Sequence, residues 1–155
     1  MPILTKAEIS TFLDIGSDFL FVDSCEHTYP GVESRTSYTF DERHKYIKHH
    51  FLSEVIIPGT LIMESMLQTM ALTIYSNKSW KGIALISSLS AQFFKPIHLN
   101  AKIENTSQIR VNSGGRIEGE VTCTSNKKVI SKVTCSYYSD FIFRSLNKVG
   151  TIKKQ

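Results

Sequence analysis

The chain has little cysteine: three residues, Cys25, Cys123 and Cys135, with no Cys-x-x-Cys pair and no Cys/His metal spacing. An odd, scattered set of this kind fits a reducing, cytoplasmic compartment, with thiols packed as small hydrophobes and no metal bound. Long hydrophobic runs are also missing. No stretch of about eighteen apolar residues occurs, so no transmembrane helix is expected. Met1 to Lys6 lack the apolar core of a secretion signal. An excess of one charge is absent too. A net charge of +4, with the positive residues scattered, is too weak to point to nucleic acid. It would suit an acidic protein partner through electrostatic steering.

What is present is an ordinary globular pattern for one domain, expected over residues 1–143, with a polar, basic tail at 144–155. Thr5-Lys6-Ala7-Glu8 reads as a capping box opening a short helix, with Ile9, Phe12 and Leu13 on its apolar side and Gly16 ending it. Phe19 to Tyr29 reads as a strand, Pro30-Gly31 as a turn and Glu33 to Phe40 as the pairing strand. Residues 41–57 have no regular period, and loops of that length are uncommon unless functional. From Pro58 to about Ser76 runs the strongest helix, apolar on nearly every side and roughly 28 Å long at 1.5 Å per residue. About four strands follow, over 82–96, 101–112, 116–125 and 129–138. A helix apolar all round must be wrapped, and an antiparallel sheet folded around it is the simplest solution.

Glu64 breaks the apolar character of that helix. A carboxylate among apolar residues is costly unless paired, protonated or functional. Gln68, one turn on, shares its face. One reading is a polar notch bonded to a neighbouring strand; the other is a carboxyl that hands over a proton. His49-His50 sits in the irregular segment ahead of the helix. Imidazole is the side chain best suited to proton exchange near neutral pH. At Pro58-Gly59 the N–H groups of the helix start can meet developing negative charge, and glycine allows close approach. The plainer reading there is an ordinary helix start with Pro in its first turn.

The stretch His50-Phe51 to Pro58-Gly59 to Glu64-Ser65-Met66-Leu67-Gln68 resembles the signature of the β-hydroxyacyl-acyl carrier protein dehydratases: His-Phe, Pro-Gly eight and nine positions after the His, an acid at fourteen, then a small residue, Met and Gln. Glu at that acid position looks like the dehydratase-only branch. Phe19 to Asp23 and Phe93 to Ile97 resemble the family's flanking strands. The resemblance implies an α+β hotdog fold, with a curved antiparallel sheet around one long helix. It also implies catalysis by His50 and Glu64, Gly59 N–H as the thioester-carbonyl donor, and a tunnel touching Phe51, Pro58 and Gln68. It further implies no metal or other cofactor, acyl carrier protein as partner, and a homodimer or larger assembly, or a heterodimer with a paralogue. In the family the His of one chain faces the acid of the other. The chain departs at His49, Leu52-Ser53 and Val55, where the family usually has Gly, Pro-Gly and Pro. Two alternatives therefore stay open: a hotdog acyl thioesterase, and a weakly active structural subunit of a heteromeric dehydratase. Arg43, Lys45, Lys48 and Lys95 lie near the motif segments; one reading is a docking patch for an acidic carrier, and the plainer one is solvated surface charge.

Overall fold

The computed structural model describes residues 3–142, so the expected tail at 144–155 lies outside the described residues. Helix α1 spans Lys6–Leu13 and opens with the capping box: the Thr5 hydroxyl accepts from Glu8 N–H, and the Glu8 carboxylate accepts from Thr5 N–H at 2.7 Å. It ends earlier than Gly16, because Asp14 takes the left-handed conformation (φ 55°) and its N–H closes back on the helix.

Strand β1 covers Ser24–Tyr29 and β2 Glu33–Thr39. The long helix α2 is Gly59–Tyr75, with Pro58 as its N-cap. Strands β3 (Ala84–Phe93), β4 (Lys102–Ser113), β5 (Arg116–Ser125) and β6 (Lys128–Ser139) follow. All pair antiparallel into one six-stranded sheet of order β1-β2-β4-β5-β6-β3. The arrangement is the α+β hotdog expected from the sequence.

Two apolar clusters explain why α2 is greasy all round. Ile62, Met66, Met70 and Ile74 pack with Ile103, Ile117, Val121 and Val133 of the sheet. Leu72, on another side, packs with Ile9 and Leu13 of α1 and with Leu20 and Val22. The fit against the sheet is tight at Gly119, where an added Cβ would lie 2.5 Å from Met70 Cε and 2.7 Å from the Gln108 carbonyl oxygen.

The first expected strand starts late. Phe19 closes a 3-10 turn, and Leu20 to Val22 are buried yet outside any ladder. Phe21 and the turn at Phe19 are held by side chains from α2. Phe21 N–H donates to Gln68 Oε1 (2.9 Å), Gln68 Nε2 donates to the Phe19 carbonyl (2.8 Å), and Ser65 Oγ donates to the Phe21 carbonyl (2.7 Å). Buried backbone polar groups must be paired, but a side chain serves as well as a strand.

Ser65 also opens a polar seam between α2 and the sheet. Asn105 Nδ2 donates to Ser65 Oγ (2.9 Å), and the Thr36 and Thr69 hydroxyls meet at 2.7 Å. Thr73 and Ser107 share a further hydroxyl contact. Ser65→Ala removes the donor to the Phe21 carbonyl and an acceptor of the Asn105 amide, both buried. We expect it to lower unfolding free energy by about 1–3 kcal/mol in a urea titration; a change below a few tenths would show the seam to be energetically idle.

The three cysteines are free and buried, as the sequence suggested. Burial pushes each thiol up to about 12, which leaves them as packing groups and not nucleophiles. No helix among the described residues is long and apolar enough to cross a membrane.

Candidate active site

The irregular segment before α2 holds the two histidines in different settings. His49 is exposed. His50 is half-buried, and its Nδ1 lies 3.0 Å from the Ile56 carbonyl oxygen. A carbonyl can only accept, so the bond fixes Nδ1 as the protonated nitrogen of the neutral ring. Nε2 is then left with its lone pair. The same segment is closed by Ile56 N–H to the His50 carbonyl and Phe51 N–H to the Glu54 carbonyl, both 2.9 Å. It is anchored to the strand side by Ile57 N–H to the Ile97 carbonyl at 2.8 Å. Phe51 lies over the His50 ring, with centroids 4.3 Å apart, and is more than half exposed. Leu52, which stands where the dehydratases usually have Pro, points into solvent.

At the start of α2 no side chain caps the helix. The first backbone acceptor, the Pro58 carbonyl, takes the N–H groups of Leu61 and Ile62. The N–H groups of Gly59 and Thr60 fall in the first turn, where a helix offers no acceptor. Gly59 has a steric reason to be glycine as well: a Cβ there would meet the Phe93 ring at 3.2 Å.

Glu64 is half-buried, not enclosed as the sequence pattern suggested. Gln68 Nε2 donates to its Oε1 at 3.0 Å. With Oε1 of Gln68 held by Phe21 N–H and its second amide hydrogen on the Phe19 carbonyl, the orientation of that amide is fully determined. Gln68 therefore reads as a positioning residue: it is 2% exposed, braced by backbone, and it presents a donor to one carboxyl oxygen. The acid is thus bonded within its own helix and not to a neighbouring strand, and it borders an open space.

That space is a cavity of about 650 Å³ lined by Glu64, Gln68, Leu67 and Ala71 of α2, with apolar walls from α1 and the start of β3. Phe51, Pro58 and His50 do not line it. Among the described residues no hydrogen bond joins His50 to Glu64. Wall residues such as Phe12, Tyr75 and Tyr137 escaped the sequence reading, because their placement depends on long-range packing. The Tyr137 hydroxyl donates to the Leu67 carbonyl (3.1 Å), and burial pushes its ionisation well above the ordinary tyrosine value, so it acts here as a fixed donor. Of the basic residues near the motif, Arg43 is already bound to Asp41 (2.7 Å), whereas Lys45, Lys48 and Lys95 are exposed.

Comparison with known proteins bears on the family and the fold. A family model described as a FabA-like domain matches residues 16–133. The 3-hydroxyacyl-[acyl-carrier-protein] dehydratase FabZ of Levilactobacillus brevis is 29% identical over 148 residues, covering 92% of this chain and 95% of that protein. The protein of the same name from Lactobacillus helveticus is 26% identical with the same coverage. Among solved structures, the TT0310 protein of Thermus thermophilus superposes with a TM-score of 0.61 at 17% identity, covering 74% of this chain and 89% of that one. The Escherichia coli PaaI protein gives 0.61 at 10% identity, covering 86% and 88%. These structural likenesses speak to the hotdog fold alone. The match over residues 16–133, which contains His50, Gly59, Glu64 and Gln68, shows that the chain belongs to the FabA-like domain family.

Proposed function

We propose that the protein removes water from 3-hydroxyacyl chains carried as thioesters on acyl carrier protein, giving trans-2-enoyl thioesters for fatty acid or related biosynthesis. The observation that carries this reading is the bond from His50 Nδ1 to the Ile56 carbonyl, which leaves Nε2 as a base aimed away from the backbone. His50 Nε2 takes the proton from C2. Electrons of that C–H bond form the C2=C3 double bond, and the C3–O bond breaks. Glu64 gives a proton to the departing oxygen, which leaves as water. A proton returned from His50 to Glu64 through solvent resets the site. Gly59 N–H, at the positive end of the α2 dipole, stabilises charge developing on the thioester oxygen. Gln68 holds the Glu64 carboxyl in place. Phe51 and Pro58 border the approach to His50, and no metal or redox cofactor enters the reaction.

The site is completed by a second copy of the chain. Strand β3 is an edge strand of ten residues, Ala84–Phe93, with no charged residue and no proline. Leu85, Ile86, Leu89 and Phe93 are each at least 40% exposed on it. An uncovered, apolar edge of this length is a pairing surface. Antiparallel pairing of two β3 strands about a two-fold axis would cover it and bring His50 of one protomer to Glu64 of the other. The three unpaired thiols suit the reducing cytoplasm.

The direct test is incubation of the purified protein with a 3-hydroxyacyl-acyl carrier protein. Formation of the enoyl thioester, with its ultraviolet absorbance and a mass loss of one water, is expected. Release of free thiol without dehydration would make the protein a hydrolase instead. Activity that appears only on addition of a paralogous chain would assign it a structural role.

A further inference from the structure

His50 hangs on a chain of backbone turns. Its N–H donates to the Ile47 carbonyl (2.9 Å), and Ile47 N–H donates to the His44 carbonyl (3.0 Å). Ile47 is buried in the core, whereas its neighbours Tyr46 and Lys48 are exposed. The next fixed point upstream is the His44 side chain. Its Nε2 meets the hydroxyl of Tyr38, a β2 residue that is 1% exposed. The His44 ring packs on Phe21, with centroids 5.2 Å apart, and Phe40 stands 6.2 Å away. Burial pushes the Tyr38 hydroxyl up to about 12, so it keeps its proton and can donate it to a neutral imidazole. The surroundings keep His44 neutral. Burial lowers its pKa from the ordinary 6.5, and Arg43 and Lys6 act in the same direction, against Asp41 and Asp23. Asp18 and Lys45 border the same recess, and the Tyr46 hydroxyl lies 3.4 Å from Nδ1. A protonated ring would carry a hydrogen on Nε2 and could not accept from Tyr38. The hydroxyl would then have to turn its proton elsewhere, and Tyr38 packs between the rings of Phe21 and Phe40.

We infer that His44 is a positioning residue for the reaction: its neutral ring, accepting from the Tyr38 hydroxyl, ties the turn that carries His50 to strand β2. This role rests on the dehydratase reading, which makes His50 the base. The folded chain resists protonation of His44 more than the unfolded chain does. The tie is therefore complete above pH 6.5, the ordinary histidine value, and is lost as pH falls from there through the lower native value. Two protonations then weigh on the acid limb of kcat/KM, one on His50 and one on His44. The limb steepens towards the slope of two protons instead of one.

The test compares variants that break the tie with one that restores it. His44→Phe and Tyr38→Phe each remove the bond and keep an aromatic ring. Each is expected to lower kcat for a 3-hydroxyacyl-acyl carrier protein about five- to tenfold at about pH 8, the worth of one hydrogen bond, with little change in KM. The double variant is expected to lose no more than either single one, because both act on the same bond. His44→Gln is the rescue. Its Oε1 can accept from Tyr38 but cannot ionise, so near wild-type kcat is expected at about pH 8, with an acid limb of one proton. Wild-type kcat in Tyr38→Phe, a His44→Gln protein as slow as His44→Phe, or an unchanged acid limb in His44→Gln would each overturn the role. Amide hydrogen exchange at Ile47 and His50, followed by NMR, keeps the tie separate from the dehydratase reading. If the wild type dehydrates no substrate, yet Tyr38→Phe speeds exchange at both amides about fivefold, the catalytic reading fails and the tie stands. If both amides exchange in Tyr38→Phe as they do in wild type, the tie fails whatever the catalytic result.

Discussion

Replacing His50 by Ala is expected to lower kcat/KM for dehydration by about 10²–10⁴, the range that a positioned general base contributes. The loss belongs to chemistry and not to folding. Among the described residues the ring makes one hydrogen bond, to the Ile56 carbonyl, and the backbone pair between Ile56 and His50 survives its removal. A stability change of about 1 kcal/mol is the most that one such bond warrants. His50→Asn sharpens the point. Asn can still donate to a backbone carbonyl but offers no basic nitrogen, so it should be as inactive as Ala. If His50→Asn kept more than a tenth of wild-type kcat/KM, the imidazole would be a structural strut and His49 or solvent would have to supply the base.

Glu64→Gln should be comparably damaging, by about 10²–10⁴, for the complementary reason: the hydroxyl must leave as water, and an amide has no acidic proton to give. The change is nearly isosteric. The new side chain can still accept from Gln68 Nε2, so the brace between Phe19, Phe21 and Gln68 is kept and the unfolding midpoint should move little. Glu64→Asp keeps an acid but withdraws it by one methylene from both Gln68 and the substrate. It should fall between wild type and Glu64→Gln. A Glu64→Gln protein with near wild-type turnover would remove this carboxyl from the mechanism. Calorimetry or circular dichroism on each variant separates the catalytic loss from misfolding.

Helix α2 and the four strands after it were legible because each follows its own period closely, and their ends fall within a few residues of the expected ones. The paired residues Glu64 and Gln68 were legible for the same reason, being polar positions one turn apart in an apolar helix. The segment Phe19–Asp23 misled, since alternation of buried residues looks the same whether the backbone is held by a neighbouring strand or by side chains 44 to 49 positions away. The end of α1 at Asp14 depended on a left-handed residue that the sequence pattern assigned to Gly16. Strand β3 was legible as a strand but not as an edge, because apolar composition does not distinguish a covered strand from an exposed one. The walls supplied by Phe12, Tyr75 and Tyr137 come from three distant segments, and no local pattern joins them.

The central claim is that His50 of one protomer works with Glu64 of another. Inactive His50→Ala and Glu64→Gln proteins, unfolded together and refolded as a mixture, test it most directly. In a random two-fold assembly half the dimers are mixed, and each mixed dimer regains one intact site, so about a quarter of wild-type activity is predicted. Activity no greater than the sum of the two parents, in a mixture shown by mass spectrometry to contain mixed dimers, would place both groups in one chain and contradict the account.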